Sequence, residues 1–287
     1  EKADFAFSIL AEILTRSRLD DEKRLGEILA ETRSRARMRL ESTSHSAAVA
    51  RATSYFSPTS SYNDRTGGIG YYFFLDQVCR DYENPENRKA LSEKLRQVCS
   101  RLFTRDHLLV SFTADEEGYE KLAAGLDHLT RCLGESDGRV YPYVFQPENR
   151  NEGFKTASQV NYVARCGSFA GSGFAYTGAL RILKVILNYD YLWLNLRVQG
   201  GAYGCMSGFG RSGEAYLVSY RDPNLKETND IYEKIPEYLR RFTAEERDMT
   251  KYVIGAISEL DTPLTPSIKG ARAVSAYLSG VTREMLQ

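Results

Sequence analysis

Histidine is scarce in this sequence. The chain has three, His45, His107 and His128, and none has a second histidine three to five residues away. Neither His-Glu-x-x-His nor His-x-x-Glu-His occurs, which excludes the two common patterns that bind zinc through one helix. Glu41 and His45 are four residues apart, but a single such pair is more often a capping or solvent contact than a metal site. The sequence therefore predicts that this chain binds no metal by itself.

Cysteine is also sparse, with five residues and no Cys-x-x-Cys pair. An odd, widely spaced set excludes a disulfide framework and a zinc ribbon, and it favours a reducing compartment. We therefore expect a cytoplasmic location, or a mitochondrial or plastid matrix if the source is a eukaryote. The five residues are Cys79, Cys99, Cys132, Cys166 and Cys205.

Net charge and long apolar runs are missing as well. Lys plus Arg and Asp plus Glu are 38 each, so no overall field attracts nucleic acid or an anionic membrane, and we expect neither as a partner. No apolar run approaches the roughly 20 residues of a membrane span. The sequence has no signal-peptide pattern and begins at Glu1, and both ends have the pattern of ordered sequence, so we expect a piece of a longer polypeptide.

Two common catalytic motifs are absent. The chain has no Gly-x-Ser-x-Gly nucleophile elbow and no Gly-Lys-Ser/Thr phosphate loop. The glycines at 200–204 precede a predicted strand, whereas a helix N-terminus is needed to bind phosphate. The cysteines have no histidine nearby in sequence, and a spatial partner stays open.

The residues that are present predict an α+β fold. Apolar periodicity predicts helices over 20–55, 71–82, 85–103, 116–133, 176–194 and 267–287, another ending at Phe242, and one headed by a Thr243–Glu246 capping box. Ser57-Pro58 is expected to close the first of these. Strands are predicted at His107–Thr113, Phe154–Arg165, Gly204–Phe209 and Ala215–Tyr220.

Residues 134–152 are rich in Gly, Pro, Asn and Asp, which is typical of a domain boundary. We therefore expect two related units, 1–138 and 153–287, joined by a linker at 139–152. The sheets are expected to be mixed or antiparallel with helices packed on one face. The N-terminal unit has the pattern of an incomplete domain that lacks its early strands.

Arg197 and Tyr203 flank a Gly200-Gly201 turn between a predicted helix and a predicted strand. By local physics alone, an arginine here interacts with the helix dipole and the tyrosine is half-buried in the strand. That interpretation needs no function.

The stretch Arg197-Val-Gln-Gly-Gly-Ala-Tyr-Gly204, followed by Ser219-Tyr-Arg-Asp-Pro-Asn224, resembles the C-terminal half of the pitrilysin-type (inverzincin) metallopeptidases, and most closely their presequence-protease branch. The similarity extends from about residue 10 to about residue 270. Shorter agreeing pieces are Leu19–Leu25, His45–Ala48, Ser54–Pro58, Gly68–Gly70 and Val160–Val163.

The resemblance implies a clamshell of two homologous halves that encloses peptides, with zinc and the His-x-x-Glu-His helix in the N-terminal half. Residues 1–138 would be the C-terminal part of the third family domain and 153–287 the fourth. Arg197 and Tyr203 would be the catalytic residues of this chain. Substrate contact is assigned to Arg197, Gly200, Gly201, Ala202 and Tyr203.

This chain departs from the family pattern because the zinc motif is not in it. We therefore expect the full-length enzyme to bind zinc through its N-terminal half, its partner within the same polypeptide, and to degrade short unstructured peptides. The fragment alone is expected to be inactive and free of zinc. The alternative is a naturally zinc-less subunit that binds peptides or acts as a scaffold.

Overall fold

The structure is a computed structural model that describes residues 2–258, 262–282 and 284–286. Within these ranges the chain forms α-helices, one long π-helix, short 3₁₀ turns and one small sheet. In chain order the elements are α1 (Lys2–Arg16), α2 (Glu22–Ser42), α3 (Ser44–Thr53), α4 (Pro58–Gly67), α5 (Ile69–Asp81), α6 (Pro85–Leu102), α7 (Glu116–Cys132), β1 (Ala164–Ser168), α8 (Ala179–Ile186), the π-helix (Leu187–Gln199), β2 (Gly204–Phe209), β3 (Glu214–Tyr220), α9 (Lys226–Glu233), α10 (Ile235–Arg241), α11 (Glu246–Ser258) and α12 (Pro266–Ser279).

The predicted α+β class is confirmed, with a predominance of helix. Helices α5, α6 and α7 and the β2–β3 hairpin lie within two residues of their predicted bounds. No helix in the described part of the chain is long and apolar enough to span a lipid bilayer.

Several helix ends were predicted wrongly. Ser57-Pro58 begins a helix and does not close one, because the Ser57 hydroxyl accepts a hydrogen bond from Ser60 N and Pro58 occupies the first turn of α4. The predicted helix over 20–55 is interrupted at Thr43. Helix α11 begins at Glu246, so Thr243 does not head it.

The strand predicted at His107–Thr113 is wrong. Residues 105–107 form a 3₁₀ turn, and residues 108–115 have no regular structure. Leu109 and Phe112 are exposed, so the apolar alternation does not reflect a buried sheet face. A strand needs a neighbour to satisfy its backbone groups, and the described part of the chain places none beside this segment.

The strand predicted at Phe154–Arg165 is also largely wrong, since β1 begins only at Ala164. Val163, just before it, donates its N–H to the Ser219 hydroxyl (3.2 Å), and its carbonyl accepts from Ser219 N (3.0 Å) and from the Tyr232 hydroxyl (3.1 Å). These side-chain bonds replace the regular ladder, and hydrophobic periodicity gives no signal for them.

The sheet is antiparallel, with strand order β1-β3-β2. Gly204 pairs with Tyr220 and Phe209 with Ala215. Side chains alternate between the faces of a strand, and one face packs on the main core through Cys205, Phe209 and Leu217. That core consists of side chains from the π-helix, α9, α10 and the segments beside the sheet, namely Val163, Leu187, Tyr191, Leu192, Leu196, Ala202, Tyr232 and Ile235.

The second face of the sheet contacts α3, so helices lie on both faces and not on one. The Cys166 thiol lies 3.8 Å from the Val49 carbonyl oxygen. The His45 ring meets the Tyr220 ring edge to face, with centroids 4.9 Å apart. Residues of the first third of the chain therefore cover the sheet of the last third.

The chain forms two compact units. One consists of Glu1–Ile28, Asp81–Pro142 and Thr262–Gln287. In it, Phe7 of α1 fills the space beside Gly125 of α7.

The other unit consists of Leu29–Arg80 and Tyr143–Asp261, and it contains the sheet. Each unit draws on distant parts of the chain. The division into domains at 139–152 stays a prediction.

A charged network in the sheet-containing unit ties the segment before β1 to α3 and α4. The Arg51 guanidinium donates to both carboxylate oxygens of Glu152 (2.7 and 3.1 Å) and to Asp64 Oδ2 (2.7 Å). Asp64, whose side chain is 3% exposed, also accepts from Gly70 N. Because the Arg51 hydrogen bonds outweigh the opposing effect of burial, the pKa of Glu152 is lowered to about 2.

We predict that Glu152→Gln lowers the free energy of unfolding by about 2 kcal/mol at neutral pH, because it removes a charge-assisted pair with little exposure. The folded-state pKa lies below the unfolded value of about 4.3. The stabilisation is therefore complete above that value and is lost as the pH falls through 2. Urea unfolding of the wild type and the variant from pH 7 to pH 2.5 should show the difference shrinking with acid.

Glu41→Gln is the matched control, since Glu41 pairs with Arg37 but its side chain is 59% exposed. It should cost less than about 0.5 kcal/mol at any of these pH values. Equal losses from the two variants would contradict the special role given to the Arg51 network.

Candidate functional site

The structure brings the two predicted catalytic residues together. Arg197 lies near the C-terminal end of the π-helix, and Tyr203 directly precedes β2. Arg197 Nη1 donates to the Tyr203 carbonyl oxygen (2.5 Å), and its guanidinium carbon lies 5.4 Å from the Tyr203 ring centroid. The Tyr203 side chain is 63% exposed, so its ring lies at the protein surface.

Trp193 is a third member of this site that the sequence interpretation missed. The guanidinium carbon of Arg197 lies 4.2 Å from its ring centroid, well inside the roughly 6 Å limit of a cation–π contact. The two residues are four apart on one helix, which places their side chains on the same face. That spacing is the signal that could have identified Trp193.

The turn between the π-helix and β2 explains the two glycines. Gly201 has φ +78°, a conformation that costs a residue with a Cβ atom about 1–2 kcal/mol. A Cβ atom at Gly200 would lie 2.7 Å from the Leu196 carbonyl oxygen. Ala202 N donates to that same oxygen (2.9 Å), and the Ala202 side chain lies in the core, 3% exposed. The turn thus exposes Gly201 and Tyr203 while Ala202 anchors it.

The Ser219–Asn224 stretch supports the turn from the other side. Asn224 Nδ2 donates to the Gly200 carbonyl oxygen (2.7 Å). Asp222 is 1% exposed and accepts hydrogen bonds from Asn224 N (2.9 Å) and the Thr228 hydroxyl (2.7 Å). Tyr203 N in turn donates to the Tyr220 and Arg221 carbonyl oxygens. The second motif of the sequence therefore positions the first.

The helix that carries Arg197 is held by polar contacts on its buried sides. Asn188 Oδ1 accepts from both Ser207 N (2.7 Å) and the Ser207 hydroxyl (2.8 Å) in β2. Asp190 accepts from the Tyr252 hydroxyl of α11. Since π-helices are rare and usually a single turn at a functional site, a 13-residue run with these anchors indicates a rigid platform for the arginine.

An aromatic cluster lies behind Tyr203. Its ring meets Tyr220 edge to face at 5.8 Å between centroids, and Tyr220 also meets Tyr162 (5.6 Å) and His45 (4.9 Å). His45 Nδ1 is buried and has no hydrogen-bond partner among the residues that the structure describes. These rings limit the positions open to the Tyr203 side chain.

The two cysteines nearest the sheet do not act as nucleophiles here. Burial raises the pKa of Cys205 to about 11 even though Arg197 opposes the shift, and burial raises that of Cys166 to about 12. Both thiols are therefore protonated at neutral pH, and the thiolate is the reactive form. All five cysteines are free.

The side chains of this chain do not fit a zinc site. In residues 2–258, 262–282 and 284–286, no three or more His, Cys, Asp or Glu side chains are grouped so that they could hold a metal ion. The chemistry argued below is therefore limited to what Arg197, Tyr203 and their neighbours do.

We predict that Gly201→Ala lowers the free energy of unfolding by about 1–2 kcal/mol, because alanine must adopt a positive φ. Gly167→Ala is the control, since Gly167 lies in β1 with nothing within 4 Å of an added Cβ atom and has no positive φ. It should be neutral or slightly stabilising. Denaturant midpoints measure both variants, and equal midpoints would show that the turn does not depend on Gly201.

The chain matches two family models. One describes the PreP C-terminal domain and covers residues 151–287, and the other describes a peptidase-associated domain and covers residues 1–78. The first of these contains Arg197, Tyr203 and the Ser219–Asn224 stretch.

Curated relatives agree with these models. The chain is 39% identical over 286 residues to protein HypA of Clostridium perfringens, a match that covers 100% of this chain and 29% of that protein. It is 28% identical over 288 residues to presequence protease 1, chloroplastic/mitochondrial, of Arabidopsis thaliana (100% of this chain, 26% of that protein). It is 22% identical over 306 residues to the mitochondrial presequence protease of Danio rerio (98% and 29%).

The chain thus spans between 26% and 29% of the length of these relatives. The resemblance drawn from the Arg197–Gly204 and Ser219–Asn224 motifs is confirmed. The chain belongs to the presequence-protease (PreP) family of peptidases and corresponds to the C-terminal part of a peptidase of that type.

Proposed function

We propose that this chain supplies the substrate-binding and oxyanion-stabilising side of a peptidase site that is completed by the N-terminal half of a longer polypeptide. The substrates are short unstructured peptides. The observation that carries the proposal is the meeting of the Arg197 guanidinium and the Tyr203 ring at one exposed point of the surface. Two residues with these chemical roles, six apart in sequence, need the intervening turn in order to meet.

Tyr203 is the proposed oxyanion donor. As a peptide carbonyl carbon becomes tetrahedral, its oxygen gains negative charge, and a phenol O–H directed at that oxygen stabilises the transition state more than the ground state. The aromatic cluster around Tyr220 limits the motion of the Tyr203 ring, and its exposed side leaves room for a substrate. Limited motion matters because misplaced donors contribute little.

Arg197 is the proposed contact for the substrate backbone. A guanidinium carries five N–H donors in a fixed fork, and within the described residues Arg197 makes one hydrogen bond, to the Tyr203 carbonyl. The remaining donors can bind a peptide carbonyl oxygen or a carboxylate. The neighbouring Gly201, exposed and without a side chain, lets an extended peptide approach the backbone.

The metal belongs to the part of the enzyme that this chain does not contain. Zinc, bound by a His-x-x-Glu-His helix of the N-terminal half, would supply Lewis-acid activation of water to the complete enzyme. The names of the relatives, presequence proteases of mitochondria and chloroplasts, support peptides as substrates and a matrix location in eukaryotes. In a bacterium the same reasoning places the enzyme in the cytoplasm.

We predict that Tyr203→Phe in the full-length protein lowers kcat on an unstructured peptide by about 100-fold, because one oxyanion donor is lost. KM should change little, since the ring and its contacts remain. Initial rates with a fluorogenic peptide measure both constants.

Tyr189→Phe is the control, because Tyr189 is exposed (69%) on the same π-helix and also loses only a hydroxyl group. It should leave kcat within about twofold. An unchanged kcat in Tyr203→Phe would remove Tyr203 from the mechanism. Peptide binding with no hydrolysis by any full-length preparation would favour a zinc-less peptide-binding subunit.

A further inference from the structure

Arg197 carries its charge without a carboxylate partner. Among the residues that the structure describes, none forms an ion pair with it, although arginines elsewhere in the chain pair widely. Its contacts are instead the Trp193 ring at 4.2 Å, the Tyr203 ring at 5.4 Å and the Tyr203 carbonyl oxygen. The charge is held in place but not neutralised.

Such a guanidinium needs something to hold it. A long arginine side chain has several rotatable bonds, and its rotamer freedom opposes any single position. An ion pair would fix the position but would also compete with the substrate for the same N–H donors. An aromatic face attracts the cation through its π electrons and uses none of its donors as a hydrogen-bond acceptor would.

Trp193 is suited to that role. Its ring is the closer of the two that Arg197 contacts, and tryptophan gives the strongest cation–π attraction of the aromatic side chains. Its neighbours in the helix, Leu192 and Leu196, are 0% and 1% exposed, so the backbone beneath it is fixed in the core. Trp193 itself is 42% exposed, which is more than packing alone would require of an indole.

We propose that Trp193 is a positioning residue that holds the Arg197 guanidinium ready for the peptide backbone. This inference rests on the function proposed above for Arg197. Trp193 does not donate to the substrate, and its effect on hydrolysis passes through Arg197. It therefore predicts coupling between the two residues and not a separate contribution from each.

A double-mutant cycle in the full-length protein tests the coupling. Trp193→Leu should lower kcat/KM by about fivefold, which is the size expected for a partly exposed cation–π contact at tenfold per 1.36 kcal/mol. Trp193→Phe, which keeps an aromatic face, should stay within about twofold of the wild type. In an Arg197→Gln background, Trp193→Leu should have no further effect.

The division between kcat and KM gives a second readout. If Trp193 acts through Arg197, Trp193→Leu changes the same constant as Arg197→Gln does, and to a smaller extent. Tyr189→Leu is the matched control because it removes an exposed aromatic ring from the same helix, and it should leave both constants unchanged. Equal thermal midpoints of the variants would show that folding is not the cause.

The outcomes separate this inference from the one on which it rests. If Arg197→Gln leaves kcat/KM unchanged, both fail. If Arg197→Gln lowers it but Trp193→Leu does not, or if the two losses multiply in the double variant, only the positioning role of Trp193 is overturned. A loss in Trp193→Leu that Phe does not restore would also overturn it, since that result would point to shape and not to the aromatic face.

Discussion

The site depends on one reversal of the chain, in which the backbone leaves the π-helix at Gly200 and enters β2 at Gly204. The positive φ of Gly201 makes the reversal possible, and the Ala202 N–H bond to the Leu196 carbonyl closes it over the core. Only with this geometry does the Arg197 guanidinium reach the Tyr203 carbonyl and ring. The sheet register, the core beneath the π-helix and the buried Asp222 beside the turn all hold that reversal in place.

The turn concentrates unused chemical capacity at the surface. Arg197 has a charge that no described carboxylate neutralises, and Tyr203 has an exposed ring fixed from behind by Tyr220. The nearby thiols, by contrast, are kept protonated by burial. A surface with these properties is suited to bind the backbone of an extended peptide and to stabilise an oxyanion, and it has no nucleophile of its own. It is one side of a site, consistent with a chain that spans between 26% and 29% of its relatives.

Sequence alone could predict the hairpin and most helices, because their periodicity and turn residues are local signals. It could pair Arg197 with Tyr203 only through the family resemblance, since local physics also allowed a plain helix end. It could not predict that His107–Thr113 stays irregular, because a strand depends on a neighbour elsewhere in the chain. The side-chain bonds of Ser219 that displace the start of β1, and the stacking of Trp193 on Arg197, depend on tertiary geometry in the same way. Helix α3 on the second sheet face is likewise a long-range contact.

The most direct test of the central claim is photo-crosslinking from position 203 of the full-length protein. Tyr203 is replaced by p-benzoyl-phenylalanine, and the protein is irradiated with a labelled unstructured peptide. The same replacement at Tyr277, which is 74% exposed in the other compact unit, is the control. The account predicts covalent capture at position 203 that unlabelled peptide competes away, and little capture at position 277. No capture at position 203, or equal capture at both positions, would contradict it.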